Sequence, residues 1–130
     1  MKTLFSKTWK ASKKPRKQRK YRYKAPLHIK RKFLTVNLTK DLREKHGTRN
    51  TPVRKGDTVR ILRGKYKDKE GKIDYVFPKK GIVYIEGFEK PKGEGSKVRE
   101  PFQPSNLQIV NLNLSDKIRK KKLTIKEGEK

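Results

Sequence analysis

The chain has 130 residues, with 39 Lys or Arg against 13 Asp or Glu, a formal net charge of +26 and only 30% hydrophobic residues. That length suits one domain with a thin core, and the absence of cysteine excludes disulfides, zinc knuckles, iron–sulfur clusters and thiol nucleophiles. A charge this large needs a dense polyanion to balance it, and RNA or DNA is the obvious partner.

The charge is unevenly spread. Residues 1–40 hold fifteen Lys or Arg and no acid; the first acidic residue is Asp41. Residues 1–25 therefore read as an extended or disordered basic arm. Within it, Lys13, Lys14, Arg16, Lys17, Arg19, Lys20 and Arg22 are candidates for phosphate contact. The rings of Trp9 and Tyr21 lie among these cations and suit base stacking; docking back onto the folded module is the other reading. The run 13–20 is too densely charged for an amphipathic transit helix, and no apolar stretch follows the N-terminus as a secretory signal requires.

Residues 26–50 read as a short helical segment. Pro26 suits a first helical position, and Ile29, Phe33 and Leu34 share one face. His28, Arg31 and Lys32 add cations or polar edges for RNA. Thr39 to Gly47 has the marks of a small helix: Thr39 as N-cap, Asp41 in the first turn, Lys45 and His46 in the last, Gly47 as a left-handed stop.

From Val53 the apolar period changes to two, and residues 51–114 read as a small barrel of short strands. Thr58–Arg63, Gly71–Phe77 and Ile82–Glu86 are the first three strands, followed by short ones near Val98–Phe102 and Leu107–Leu112. Residues 64–70 form a charged loop, Pro78–Gly81 a turn, and Lys90–Ser96 a long exposed loop. Residues 115–130 revert to a basic, uncapped tail. Ile82–Ile85 is among the longest apolar runs, so no membrane span is expected.

Signals of catalysis are nearly absent. His28 and His46 have no metal-ligand or nucleophile partner at a recognised spacing, and no metal or cofactor is expected. Gly64 to Lys72 superficially resembles a phosphate loop, but the interval is too long and Ile73 stands where Ser or Thr is needed.

The informative stretch is Lys55 to Ile73: a polar turn, a strand, a basic loop, and a glycine that restarts a strand. Gly71 there implies either a positive φ or a close approach, by the chain's own backbone or by RNA. Arg54, Lys55, Arg63, Lys65, Lys67, Lys72, Lys79 and Lys80 are the candidate phosphate ligands of the barrel.

These residues resemble the KOW motif of ribosomal proteins and of NusG-type transcription elongation factors. The flanks Ala25–Lys32, Leu38–Arg43, Pro52–Asp57 and Pro104–Leu107 are similar to the L twenty-four family of large-subunit ribosomal proteins, in its archaeal form (L twenty-six in eukaryotes). The resemblance runs from about Lys13 to Arg119 and leaves residues 1–12 unmatched. It implies an SH3-like barrel and a structural role in the cytoplasmic large ribosomal subunit. It implies binding to large-subunit rRNA near its 5′ end during assembly, and a monomer beside neighbouring ribosomal proteins near the peptide exit tunnel. The Glu89–Arg99 loop would face the exit region, where nascent chains or exit-site factors could meet it. The alternative, a KOW module of an elongation factor, usually follows a separate α/β domain for which this chain has no room.

Overall fold

The computed structural model describes residues 5, 6, 8 and 11–125. Seven strands form one sheet in the order β2-β1-β7-β3-β4-β5-β6. These are β1 (Thr35–Leu38), β2 (Asn50–Pro52), β3 (Thr58–Ile61), β4 (Glu70–Phe77), β5 (Ile82–Pro91), β6 (Lys97–Phe102) and β7 (Leu107–Asn111). Four helices accompany them: α1 (Pro15–Lys24), α2 (Leu27–Phe33), α3 (Lys40–His46) and α4 (Lys117–Ile125).

Alternation builds the core. Val59 and Ile61 of β3, Ile73 of β4, Val83 and Ile85 of β5 and Leu107 and Ile109 of β7 point inward, joined by Val36 and Leu38 of β1. Side chains from strands near both edges meet in one cluster, so the sheet wraps around it as a small barrel, the SH3-like arrangement expected. β4 makes the bend: it pairs with β3 through Thr58↔Lys72 and Val59↔Gly71, and with β5 through Tyr75↔Tyr84 and Val76↔Val83. A register shift between Ile73 and Tyr75 marks the corner.

Gly71 works by close approach within the protein. Its backbone is outside the left-handed region. A Cβ there would lie 2.4 Å from Ile85 Cγ2 and 2.9 Å from Phe88 Cε2. The positive-φ reading is therefore corrected, and the space a side chain would need is filled by the core of β5. Gly47, at φ +60°, does end α3 in the left-handed conformation. Thr39 occupies the N-cap position of α3 without a side-chain cap, while its backbone N–H donates to Ile109 O at 3.1 Å.

Four expectations differ from the structure. Residues 15–24, read as extended, form α1: Pro15 opens the helix and Lys, Arg and Gln are good helix formers, although the helix buries none of its residues. Residues 26–50 are not helical throughout; β1 pairs in parallel with β7 and antiparallel with β2, so the sheet begins before residue 51. The loop expected over Lys90–Ser96 is present at residues 92–96, but it is the tip of a hairpin whose arms pair on either side through Glu89↔Arg99, Lys90↔Val98 and Pro91↔Lys97. Lys90 Nζ, 2.8 Å from Glu100 Oε1, ties its two sides.

The fourth is the C-terminal tail, in which Lys117–Ile125 form the docked, capped helix α4. The Asp116 carboxylate accepts from Ile118 N at 3.0 Å, and Leu123 joins the barrel core. Arg119 reaches beneath the sheet to Asp57, with donor distances of 2.6 and 2.8 Å to the two carboxylate oxygens. Both side chains are at most 5% exposed. Asp57 also accepts from Arg54 N and Asn113 N, each at 2.9 Å, and Arg119 donates to Asn113 O and Pro52 O.

Candidate nucleic-acid interface

Two neighbouring grooves gather seven of the candidate cations. The larger, about 730 Å³, lies between the end of α2, the β2–β3 connection and β4. Arg31 and Lys32 come from α2, and Arg54 and Lys55 from the turn entering β3. Its apolar lining is Leu34, Val53, Val76 and Pro78, and Tyr75 also borders it. Two carboxylates also reach it. Asp116 pairs with Arg54, and Asp74 lies 3.5 Å from Lys55 Nζ and 2.6 Å from Arg99 Nη1. The Asp116 carboxyl is held below the usual Asp range, first by Arg54 and then by the amide of Ile118.

Pro78 also lines the second groove, which adds Arg22, Lys30, Lys79 and Lys80. Arg22, Lys30 and Lys79 recur beside Tyr23, Ala25 and Leu27 along the junction of α1 and α2. The result is one cationic band. It runs from α1, over α2 and the β4–β5 turn, into the groove beneath β4. Short, rigid elements set these side chains: the β4–β5 turn closes with Gly81 N donating to Phe77 O at 2.9 Å. Lys80 Nζ lies 5.7 Å from the Phe77 ring centroid.

The remaining candidates stand elsewhere. Lys13, Lys14, Arg16, Lys17, Arg19 and Lys20 are exposed on or just before α1. Trp9 lies outside the described residues. Tyr21 is half-buried, 4.8 Å from the Phe5 ring and 6.2 Å from Phe33, so its ring is engaged within the chain; Tyr23 next to it is 81% exposed. His28 and Lys72 are exposed but line neither groove. Arg63, Lys65 and Lys67 stand on the β3–β4 loop, outside the band. Lys65 Nζ lies 5.5 Å over the Tyr66 ring. Tyr66 in turn packs edge-on against Phe88 and Phe102, and its hydroxyl is pushed up first by burial and then by Glu100. Gly71 offers no opening, because Ile85 and Phe88 close over it.

Lys30 and Tyr75 of the band escape sequence reasoning. Lys30 sits in a basic run without a mark of its own, and Tyr75 reads as an ordinary strand aromatic. The described residues hold no group of three or more His, Cys, Asp or Glu placed to bind a metal. No helix among them is long and apolar enough to cross a membrane.

Over residues 12–126 the chain matches the family model of the ribosomal proteins called L26 in eukaryotes and L24 in archaea. Curated relatives named "Large ribosomal subunit protein uL24" come from several archaea. That of Methanoculleus marisnigri is 46% identical over 112 residues, covering 86% of this chain and 93% of the relative. That of Methanosarcina barkeri is 44% identical over 108 residues, covering 83% and 93%. That of Methanospirillum hungatei is 43% identical over 113 residues, covering 87% and 94%.

Proposed function

The chain belongs to the ribosomal protein family of eukaryotic L26 and archaeal L24, and from that premise we propose that its cationic band binds large-subunit rRNA. It is a structural constituent of the large ribosomal subunit, cytoplasmic, and not an enzyme. The observation that carries the RNA reading is the continuity of the band: Pro78 joins two grooves whose rims hold Arg22, Lys30, Arg31, Lys32, Arg54, Lys55, Lys79 and Lys80. The work is electrostatic and geometric. Barrel-mounted cations meet phosphates with little loss of freedom, and the arm cations of α1 follow the backbone between rRNA helices.

The proposal extends to placement. The chain binds near the 5′ end of the rRNA early in assembly, as a monomer among neighbouring ribosomal proteins close to the exit tunnel. The β5–β6 hairpin, exposed from Glu89 to Arg99, is the element offered to nascent chains or exit-site factors. Family resemblance supports this placement, and the hairpin's projection from the core is compatible with it.

Titration of the full chain against a 5′-domain fragment of large-subunit rRNA at several salt concentrations tests the RNA reading. With about eight to twelve phosphates neutralised, log K falls against log salt with a slope of roughly −6 to −11. A slope shallower than about −3 would mean that the band is not the binding surface.

A further inference from the structure

The outward face of β4 and β5 carries an aromatic row, of which Tyr75 borders the larger groove. Tyr75 and Tyr84 are cross-strand partners with ring centroids 6.1 Å apart and planes 29° apart. Phe77, two residues along β4, lies 6.2 Å from Tyr75. Cross-strand packing accounts for the contact between the two tyrosines. It does not account for Tyr75 remaining 49% exposed in a groove rimmed by Arg31, Lys32, Arg54 and Lys55.

Resting on the RNA reading above, we propose that Tyr75 is a stacking platform for one unpaired nucleotide of the bound RNA. The division of chemistry within the groove fits a nucleotide better than a phosphate alone. A bare phosphate gains nothing from the exposed ring of Tyr75, whereas a base presents a flat, weakly hydrated face to it. Asp74 and Asp116, inside the groove, pair with Lys55, Arg99 and Arg54, so those cations are already partly neutralised. Phosphate is left to the rim, where α2 supplies Arg31 and Lys32. A base paired inside a helix has no free face to lay on Tyr75, so the site selects a loop, bulge or strand end.

The test compares two RNAs on the full chain: a twelve-nucleotide single strand carrying one 2-aminopurine, and the perfect duplex of the same sequence. Wild type, Tyr75→Phe, Tyr75→Leu and Tyr75→Ala are measured, with thermal melting followed by circular dichroism for each. Tyr75→Ala is expected to weaken single-strand binding by about five- to one-hundred-fold, the loss of one stacked base. Duplex binding and both salt slopes stay unchanged, because no charge is removed. Tyr75→Phe retains wild-type affinity and 2-aminopurine quenching, and Tyr75→Leu, which keeps apolar cross-strand packing, loses both. Equal single-strand affinity of Tyr75→Leu and wild type overturns the proposal and leaves this face to a protein neighbour. Parallel losses on single strand and duplex overturn it as well, by indicating damage to the groove. If wild type binds both RNAs no better than a sulfated polysaccharide of equal charge, the RNA reading itself fails and the stacking site falls with it.

Discussion

Helices α1 and α4 lie toward opposite ends of the chain and look alike in composition: short, lysine-rich and without an acid of their own. Their relation to the barrel is opposite. α1 buries none of its residues. α4 sends Arg119 onto a fully buried carboxylate and Leu123 into the core, and it starts at a capping aspartate. Charge density alone therefore does not separate an exposed arm from a docked structural helix. One buried acid, Asp57, decides it, because a buried carboxylate must have a cationic partner and recruits the end of the chain to supply it.

The largest effect expected from this contrast is in stability. Arg119→Ala strands the Asp57 carboxylate in the interior and should lower unfolding free energy by about 3–5 kcal/mol. The matched change in the arm, Arg22→Ala at an exposed position, should stay within about 0.5 kcal/mol. Urea denaturation of both variants measures the gap, and comparable losses would erase the distinction between the helices.

A second change probes the platform on which the distinction rests. Gly71→Val places a branched side chain where a Cβ alone would meet Ile85 Cγ2 at 2.4 Å. Overpacking of this kind should cost about 1–3 kcal/mol. An unchanged melting temperature would show that β4 and β5 can separate at no cost, and that the barrel is not the rigid mount assumed for the band.

The smallest effect concerns acid. The Asp116 carboxyl titrates below its ordinary value of 3.8, chiefly through its bond with Arg54. A carboxyl lowered in the native state contributes stability that is fully present above the ordinary value and is lost as pH falls through the lower native one. Amide exchange in α4 should therefore accelerate below about pH 4 before the barrel opens, and Asp116→Asn should remove that dependence. Helix α1 contains no acidic residue, so its exchange should not respond. Exchange in α4 that stays flat to the point of global unfolding would exclude Asp116 as the cap that matters.

Local signals account for what was legible in advance. The β3, β4, β5 and β7 strands show period-two apolar residues, and α3 shows its acidic first turn and its glycine stop. What escaped is non-local or lacks an apolar pattern. Thr35–Leu38 is too short to announce a strand, and its parallel pairing with β7 joins residues far apart in the chain. The outer half of the β5–β6 hairpin is charged and rich in Gly and Pro because it packs on no core, so its pairing leaves no hydrophobic trace. The Asp57–Arg119 pair spans 62 residues, and in sequence each member looks like a solvated charge. Pro15 and Asp116 were readable helix starts, overshadowed by the surrounding lysines. Of the candidate interface, the cations of α2 and of the β4–β5 turn were visible as residue types; their convergence with Arg54 and Lys55 needed the fold.

The most direct test of the cationic band sets it against the basic helix α4 at equal charge. Arg22, Lys79 and Lys80 of the band are changed together to Ala in one variant, and Lys120, Lys121 and Lys122 of α4 in another; all six are exposed. Affinity for the 5′-domain rRNA fragment is measured for both across a salt series. The band includes the α1–α2 junction and the β4–β5 turn but not α4, so the band variant should bind more weakly than the α4 variant. Its salt slope should flatten by about 2–3, roughly one unit for each phosphate no longer neutralised. The α4 variant should change the slope by less than about 1. Equal losses, or a greater loss from α4, would contradict the placement of the RNA on the band.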